Sequence, residues 1–282
     1  MTRLRKNLLS LLPKALLSKT TGCLTSIPVP RTLRHPLYSW FCNRYGVVRA
    51  DMEHELSDYR SFSDFFARSL RPGARPLADS DLVSPVDGKV VCAGPIRAGR
   101  ILQVKDRDYS LDELLAGLPG SRGLFDEGQQ LTIYLAPGDY HRIHSPCSGR
   151  QVSWSYMPGT FFPVNPPAVR SIPDLFIRNE RLCTLLEGTP WGKIALIPVA
   201  ALNVGHIAWK ALPDLHTNGG RPADHGTFEP PRAFAKGEEL GRFGFGSTVI
   251  LLFEKDRVDL THLASESKLD MGEDLIARRV TT

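Results

Sequence analysis

Three short stretches of the 282-residue chain carry side chains that could do chemistry. "SPVDGKVV" holds Asp87, although Asp-Gly between extended segments is also a common turn. "YLAPGDYHRIHSPCSG" holds His141 and His144. Two histidines at i and i+3 could bind a metal, but no third ligand accompanies them, and Pro137, Gly138 and Pro146 argue against a helix there. "GRFGFGSTVILLF", residues 241–253, leads through three glycines to Ser247 and then into a run rich in β-branched residues. A serine hydroxyl is a weak nucleophile until an imidazole takes its proton, and a carboxylate can fix that imidazole's tautomer. Asp87, His144 and Ser247 occur in the chain order of subtilisin-type hydrolases. The G-x-S-x-G elbow is absent, however, and Ser247 opens a strand-like run instead of a helix.

The elements that would hold these residues are mostly strands. "GKVVCAG", "QQLTIYLAPG", "RLCTLLEG", "GKIALIPVAALNVGHIAW" and "GSTVILLFE" are short apolar runs bounded by Gly and Pro. Gly-[Glu/Gln]-X-Leu recurs at 128–131, 237–240 and 272–275, each read as a turn feeding an apolar segment. A short helix is expected in "SFSDFFARSLRPGARP", with Ser61 as N-cap, Asp64 at the capping-box position and Arg71-Pro72-Gly73 as its end. A second is expected at "SLDELLAGL". Regular strand–helix alternation is missing, which excludes a doubly wound parallel sheet. The expected fold class is therefore α+β: a β-rich core of short strands, sandwich-like or barrel-like, preceded by N-terminal helices.

The net charge of +5 hides an asymmetry. Nine of the 35 basic residues and none of the 30 acidic ones lie in residues 1–50, so the remainder holds 26 basic against 30 acidic. Leu4, Leu8, Leu11 (or Leu12) and Ala15 recur at helical spacing beside Arg5, Lys6 and Lys14. That pattern suits a helix lying on an anionic membrane surface, and residues 1–60 are read as a basic, membrane-associating region ahead of a catalytic domain at 61–282. The longest uncharged run, 151–169, contains four prolines and cannot form a spanning helix. Five scattered cysteines without a CxxC read as free thiols in a reducing compartment.

Taken together, "SPVDGKV", "YHRIHSP" and "FGST", in this order, resemble bacterial phosphatidylserine decarboxylases. So do "SFSDFFARSLRPGARP", "MPGTFFPVNP", "NER" at 179–181 and "KGEELGRFGFGST", which extends the similarity over most of residues 55–260. The family's usual tetrapeptide is Leu-Gly-Ser-Thr; here Phe245 keeps the first position apolar. The resemblance implies a self-cleaving proenzyme. His144, oriented by Asp87, would deprotonate Ser247, whose hydroxyl attacks the Gly246 carbonyl. The resulting ester would break by elimination, and hydrolysis with loss of ammonia would leave a pyruvoyl group at residue 247. The products would be a large β chain, 1–246, and a small α chain, 247–282, held together as a heterodimer or a higher oligomer. Gly246 has no Cβ to obstruct the attack.

The same resemblance implies phosphatidylserine as substrate and phosphatidylethanolamine as product, through a Schiff base with the pyruvoyl cofactor, which acts as an electron sink. His141 is the candidate proton donor or substrate contact, and it could exchange roles with His144. Met157, Phe161 and Phe162 are expected to reach the lipid interface or to line the substrate mouth; the alternative is a loop filling the edge of the core. No metal and no nucleic acid is expected. The implied location is the cytoplasmic face of a bacterial inner membrane, as a peripheral protein. The main rival is a Ser-His-Asp hydrolase acting at a membrane surface, which would leave the chain uncut. A lipoyl-type or sugar-phosphotransferase-type carrier is a second rival, and it leaves "FGST" unexplained.

Overall fold

The structure is a computed structural model that describes residues 24–104, 107–188, 190–201, 206–215, 217–218, 220–244 and 247–276. The basic helix expected around Leu4–Ala15, Cys23, Phe245 and Gly246 lie outside the described residues. Helix α1 (Arg31–Tyr45) ends where Gly46, at φ 72°, takes the left-handed conformation that glycine adopts without strain. Helix α2 (Phe62–Phe66) starts at the expected capping box: the Ser61 hydroxyl accepts from the Asp64 N–H, and the Asp64 carboxylate accepts from the Ser61 N–H. Tyr38, Phe41, Met52, Leu56, Tyr59, Phe65 and Phe66 form a small core of their own, with the Tyr38 and Phe65 rings stacked at 4.6 Å. This core joins residues on both sides of position 60.

The rest is built on strands. β1 (Gly88–Pro95), β2 (Arg100–Val104) and β3 (Arg107–Ser110) precede α3 (Leu111–Leu115), the helix expected at "SLDELLAGL". β4 (Gln129–Leu135), β5 (Arg142–His144) and β6 (Gly149–Met157) follow, then α4 (Pro166–Ser171) and α5 (Leu175–Arg178). β7 (Arg181–Gly188), β8 (Gly192–Val199), β9 (Ile207–Trp209), β10 (Asp224–Phe234), β11 (Glu239–Phe243), β12 (Ser247–Phe253) and β13 (Lys268–Leu269) complete the chain. Eight strands make one antiparallel sheet in the order β10-β6-β7-β8-β12-β4-β1-β13. β5, β11 and β9 make a second sheet, and β2 with β3 a hairpin. The fold is α+β and β-rich, as the sequence texture predicts.

Every residue of β12 is buried, and six of eight in β8. Covered on both faces, these central strands are continuously apolar, whereas β1 alternates buried and more exposed residues. The expected turns at Gly237 and Gly272 have φ of 77° and 91°, and Gly128 leads directly into β4. The Asp87-Gly88 pair is no hairpin turn. Gly88 opens β1, and a Cβ there would lie 2.5 Å from the Tyr134 carbonyl oxygen and 2.7 Å from Ile133 Cγ2. Its glycine is required by close packing.

Candidate active site

The register of the large sheet brings the distant motifs together. Lys89 pairs with Tyr134, Tyr134 with Thr248, Thr248 with Val199, Val199 with Arg181 and Arg181 with Met157. Asp87, Ser247, Glu180 and the chain leaving Met157 therefore lie just beyond one row, at one end of the sheet. The turn after β4 delivers His141 and His144 to the same end. The His144 N–H donates to the Pro85 carbonyl at 2.9 Å, and the Phe243 N–H donates to the His141 carbonyl at 2.9 Å. The first contact ties β5 to the segment before Asp87. The second ties it to the approach to Ser247.

Ser247 is fully buried at the start of β12, paired with Leu135, and its Oγ has no hydrogen-bond partner among the described residues. A buried hydroxyl left unsatisfied costs about 1–3 kcal/mol, so it points to a group kept for another purpose. His141 is also fully buried. Its Nδ1 lies 2.8 Å from the Asp139 carbonyl and so carries the proton, which leaves the Nε2 lone pair without a partner among the described residues. Burial holds its pKa down at about 3, and the nearby Arg68 charge adds to this, so the ring rests neutral.

His144 has both nitrogens engaged. Nδ1 donates to the Gly237 carbonyl at 2.8 Å, and Nε2 accepts from the Tyr140 hydroxyl at 3.0 Å. Burial lowers its pKa, an effect the Gly237 bond opposes. Asp87 is buried too, but its carboxylate is held by Arg75, at 2.9 and 3.2 Å from Nε and 2.7 Å from Nη2, and by the Met271 N–H at 2.8 Å. No hydrogen bond between Asp87 and His144 occurs among the described residues. Arg75, Tyr140 and the Gly237 carbonyl are the partners that sequence reasoning missed. Arg75 and Tyr140 lie inside the quoted motifs, but nothing in local spacing marks their roles.

Phe161 and Phe162 belong to the main core, and Met157 is the half-buried last residue of β6. Asn179 pins this loop: its amide oxygen accepts from the Phe162 N–H, and its amide nitrogen donates to the Phe162 carbonyl, both at 2.9 Å. The Arg178 guanidinium covers the Phe162 ring at 4.4 Å. With the backbone fixed in this way, a proline-rich segment packs as core, so the two phenylalanines fill the core edge and are not open to a lipid interface. Among the described residues no group of three potential metal ligands occurs.

The model of the phosphatidylserine decarboxylase family matches residues 62–277. The chain belongs to this family. Curated relatives carry the same name as proenzymes: one from Anaeromyxobacter sp. (strain K) is 43% identical over 97% of this chain and 98% of its own length. One from Myxococcus xanthus (strain DK1622) is 42% identical over 89% of both chains, and one from Brevibacillus brevis is 37% identical over 98% and 99%. Nothing in these similarities supports the serine hydrolase reading. The matched region runs from α2, which gives Phe65 and Phe66 to the small core, through the whole of the main core.

Proposed function

We propose that this chain decarboxylates phosphatidylserine to phosphatidylethanolamine after cutting itself between Gly246 and Ser247. The observation that carries the reading is the Ser247 hydroxyl, buried and without a partner among the described residues at the head of the central strand. In this reading His144, backed by the Asp87–Arg75 pair, withdraws the hydroxyl proton as Oγ attacks the Gly246 carbonyl. Tyr140 covers His144: its hydroxyl donates to His144 Nε2, and burial, then the Glu239 and Asp87 charges, hold its phenol protonated. Tyr140 must release the Nε2 lone pair before His144 can act. A second assignment exchanges the histidines, and the free Nε2 of His141 favours it.

A pyruvoyl group fits position 247, because the side chain that would become it is already desolvated and fixed by strand pairing. Once present, that group supplies a carbonyl electron sink for loss of CO2 from an amino-acid headgroup. The chain's own part is to exclude water, which the fully buried β12 does, and to offer His141 Nε2 to take up a proton from the substrate's ammonium group and return it to the product carbon.

The substrate lies in a bilayer, so the enzyme must dock on one. Leu33, Leu37 and Trp40 form an exposed stripe on α1, Trp40 being 61% exposed, and Leu24, Ile27 and Val48 are exposed beside it. With the acid-free basic arm, this gives an apolar and cationic face suited to an anionic surface. No helix among the described residues is long and apolar enough to cross a membrane. Peripheral attachment at the cytoplasmic face, and a non-covalent pair of cleaved chains, complete the reading.

Intact mass under denaturing conditions tests it, beside CO2 release from phosphatidylserine vesicles at low and high salt. Wild type is expected as two chains broken at 246/247, active on vesicles and weakened by salt, with Ser247→Ala whole and inactive. A single uncut wild-type chain that still releases CO2 would overturn the self-processing mechanism.

A further inference from the structure

Between the small aromatic core and the second sheet lies a cavity of about 290 Å³. Its wall includes Arg68, Arg142 and Arg242, with His206 and the Phe243–Gly244 backbone at the end nearest Ser247. Asp64 is the acidic residue on the wall, and its carboxylate is committed to capping α2. Arg142 is already paired, its Nη1 donating to Glu239 at 3.0 Å and its Nε to the Ala67 carbonyl at 3.0 Å. Arg242 is exposed at the mouth, and its side chain makes no hydrogen bond or ion pair among the described residues.

Arg68 is the unusual member. It is 4% exposed, yet it has no carboxylate partner among the described residues. Its Nη2 donates to the carbonyls of Gly138 and Asp139, at 2.7 and 3.0 Å, while Nη1 is buried with no partner among the described residues. A guanidinium taken out of water without a counter-charge is costly, and an arriving oxyanion would relieve that cost. With both Nη2 hydrogens on carbonyls, Nη1 is the nitrogen left to donate a charge-assisted hydrogen bond to a phosphate oxygen.

The cavity is wired to the site. The Asp139 carbonyl accepts from Arg68 Nη2 and from His141 Nδ1, and the Phe66 ring sits 4.2 Å from the His141 ring. We infer that this cavity binds the headgroup phosphate of the substrate lipid, with Arg68 as its buried anchor and Arg242 closing on it from the mouth. The inference rests on the proposed function. In a phosphoserine headgroup only a methylene and an ester oxygen separate the amine-bearing carbon from phosphorus. A phosphate site must therefore lie beside the reacting residue, and this cavity abuts the chain leading into it.

Calorimetric titration of the self-cleaved protein with glycerophosphoethanolamine tests the site, with inorganic phosphate and ethanolamine titrated separately. Wild type is expected to bind the phosphodiester more tightly than either fragment. Arg68→Lys and Arg242→Ala should each weaken it about tenfold or more, the loss of a charge-assisted contact. Arg68 also braces the 138–139 turn, so if Arg68→Lys misfolds, Arg242→Ala decides. Unchanged affinity in the variants, or no binding by wild type, overturns the site. Inorganic phosphate bound as tightly as the diester overturns the headgroup assignment in favour of free phosphate. A wild type that binds the diester but releases no CO2 from vesicles refutes the proposed function and leaves the site standing.

Discussion

His141 and His144 sit three residues apart, and one difference decides what each can do: His144 Nε2 is covered by the Tyr140 hydroxyl, while His141 Nε2 has no partner among the described residues. If His144 is the cleavage base, His144→Ala stays a single chain, whereas His141→Ala is cut but releases little CO2. The reverse pattern, read by intact mass, would assign the cleavage to His141. The pKa shifts add a pH signature. His141 is depressed from 6.5 to about 3 by burial, so its contribution to stability is present above pH 6.5 and lost as pH falls toward 3. Glu180, raised from 4.5 to about 7 by burial, works in the opposite sense: its contribution is present below 4.5 and lost as pH rises toward 7. Between pH 4.5 and 6.5 the two oppose each other. Glu180→Gln removes one of them, so the difference in urea midpoint between this variant and wild type should rise with pH across that window. A difference that is flat or falls with pH would show that Glu180 does not bind a proton on folding.

At the scale of elements, β1 depends on Gly88, whose hydrogen atoms face the Tyr134 carbonyl and Ile133. Gly88→Ala should lower stability by about 1–3 kcal/mol, the usual range for overpacking, and displace the adjacent Asp87 from Arg75. A lower urea midpoint with partial self-cleavage is the expected result, and an unchanged midpoint would count against the packing described. The strands most legible from sequence are β4, β7, β8 and β12, because central strands covered on both faces need unbroken apolar runs, and β1, whose short apolar run lies between Gly88 and Gly94. β10 was hidden: "DHGTFEPPRAF" carries two prolines, tolerated because it is an edge strand whose register with β6 shifts between Thr227 and Arg232. α1 was hidden by Pro36 and by its outward-facing Leu33, Leu37 and Trp40. At the site, the motifs supplied the reactive residues but not their company. His144 meets Gly237 across 93 positions and Asp87 meets Met271 across 184. Contacts of that range follow from strand order, which no local window encodes.

For the molecule as a whole, the decisive feature is where the proposed cut falls. β12 is hydrogen-bonded to β8 on one side and β4 on the other, in the middle of an eight-stranded sheet, so the 247–282 fragment would supply a central strand and the edge strand β13. Before cleavage, folding is a unimolecular event; afterwards the same architecture is an association. Mature protein diluted from denaturant should therefore recover with a yield that rises with protein concentration, whereas Ser247→Ala should refold independently of it. Equal recovery at all concentrations would mean that the small fragment is not needed for the sheet. With the cut at 246/247, the intact precursor would be the only form able to assemble as a single chain, and each mature molecule would be held by the barrier to withdrawing a buried strand. Its lifetime would then be set by kinetics, and one complete unfolding at low concentration would be irreversible.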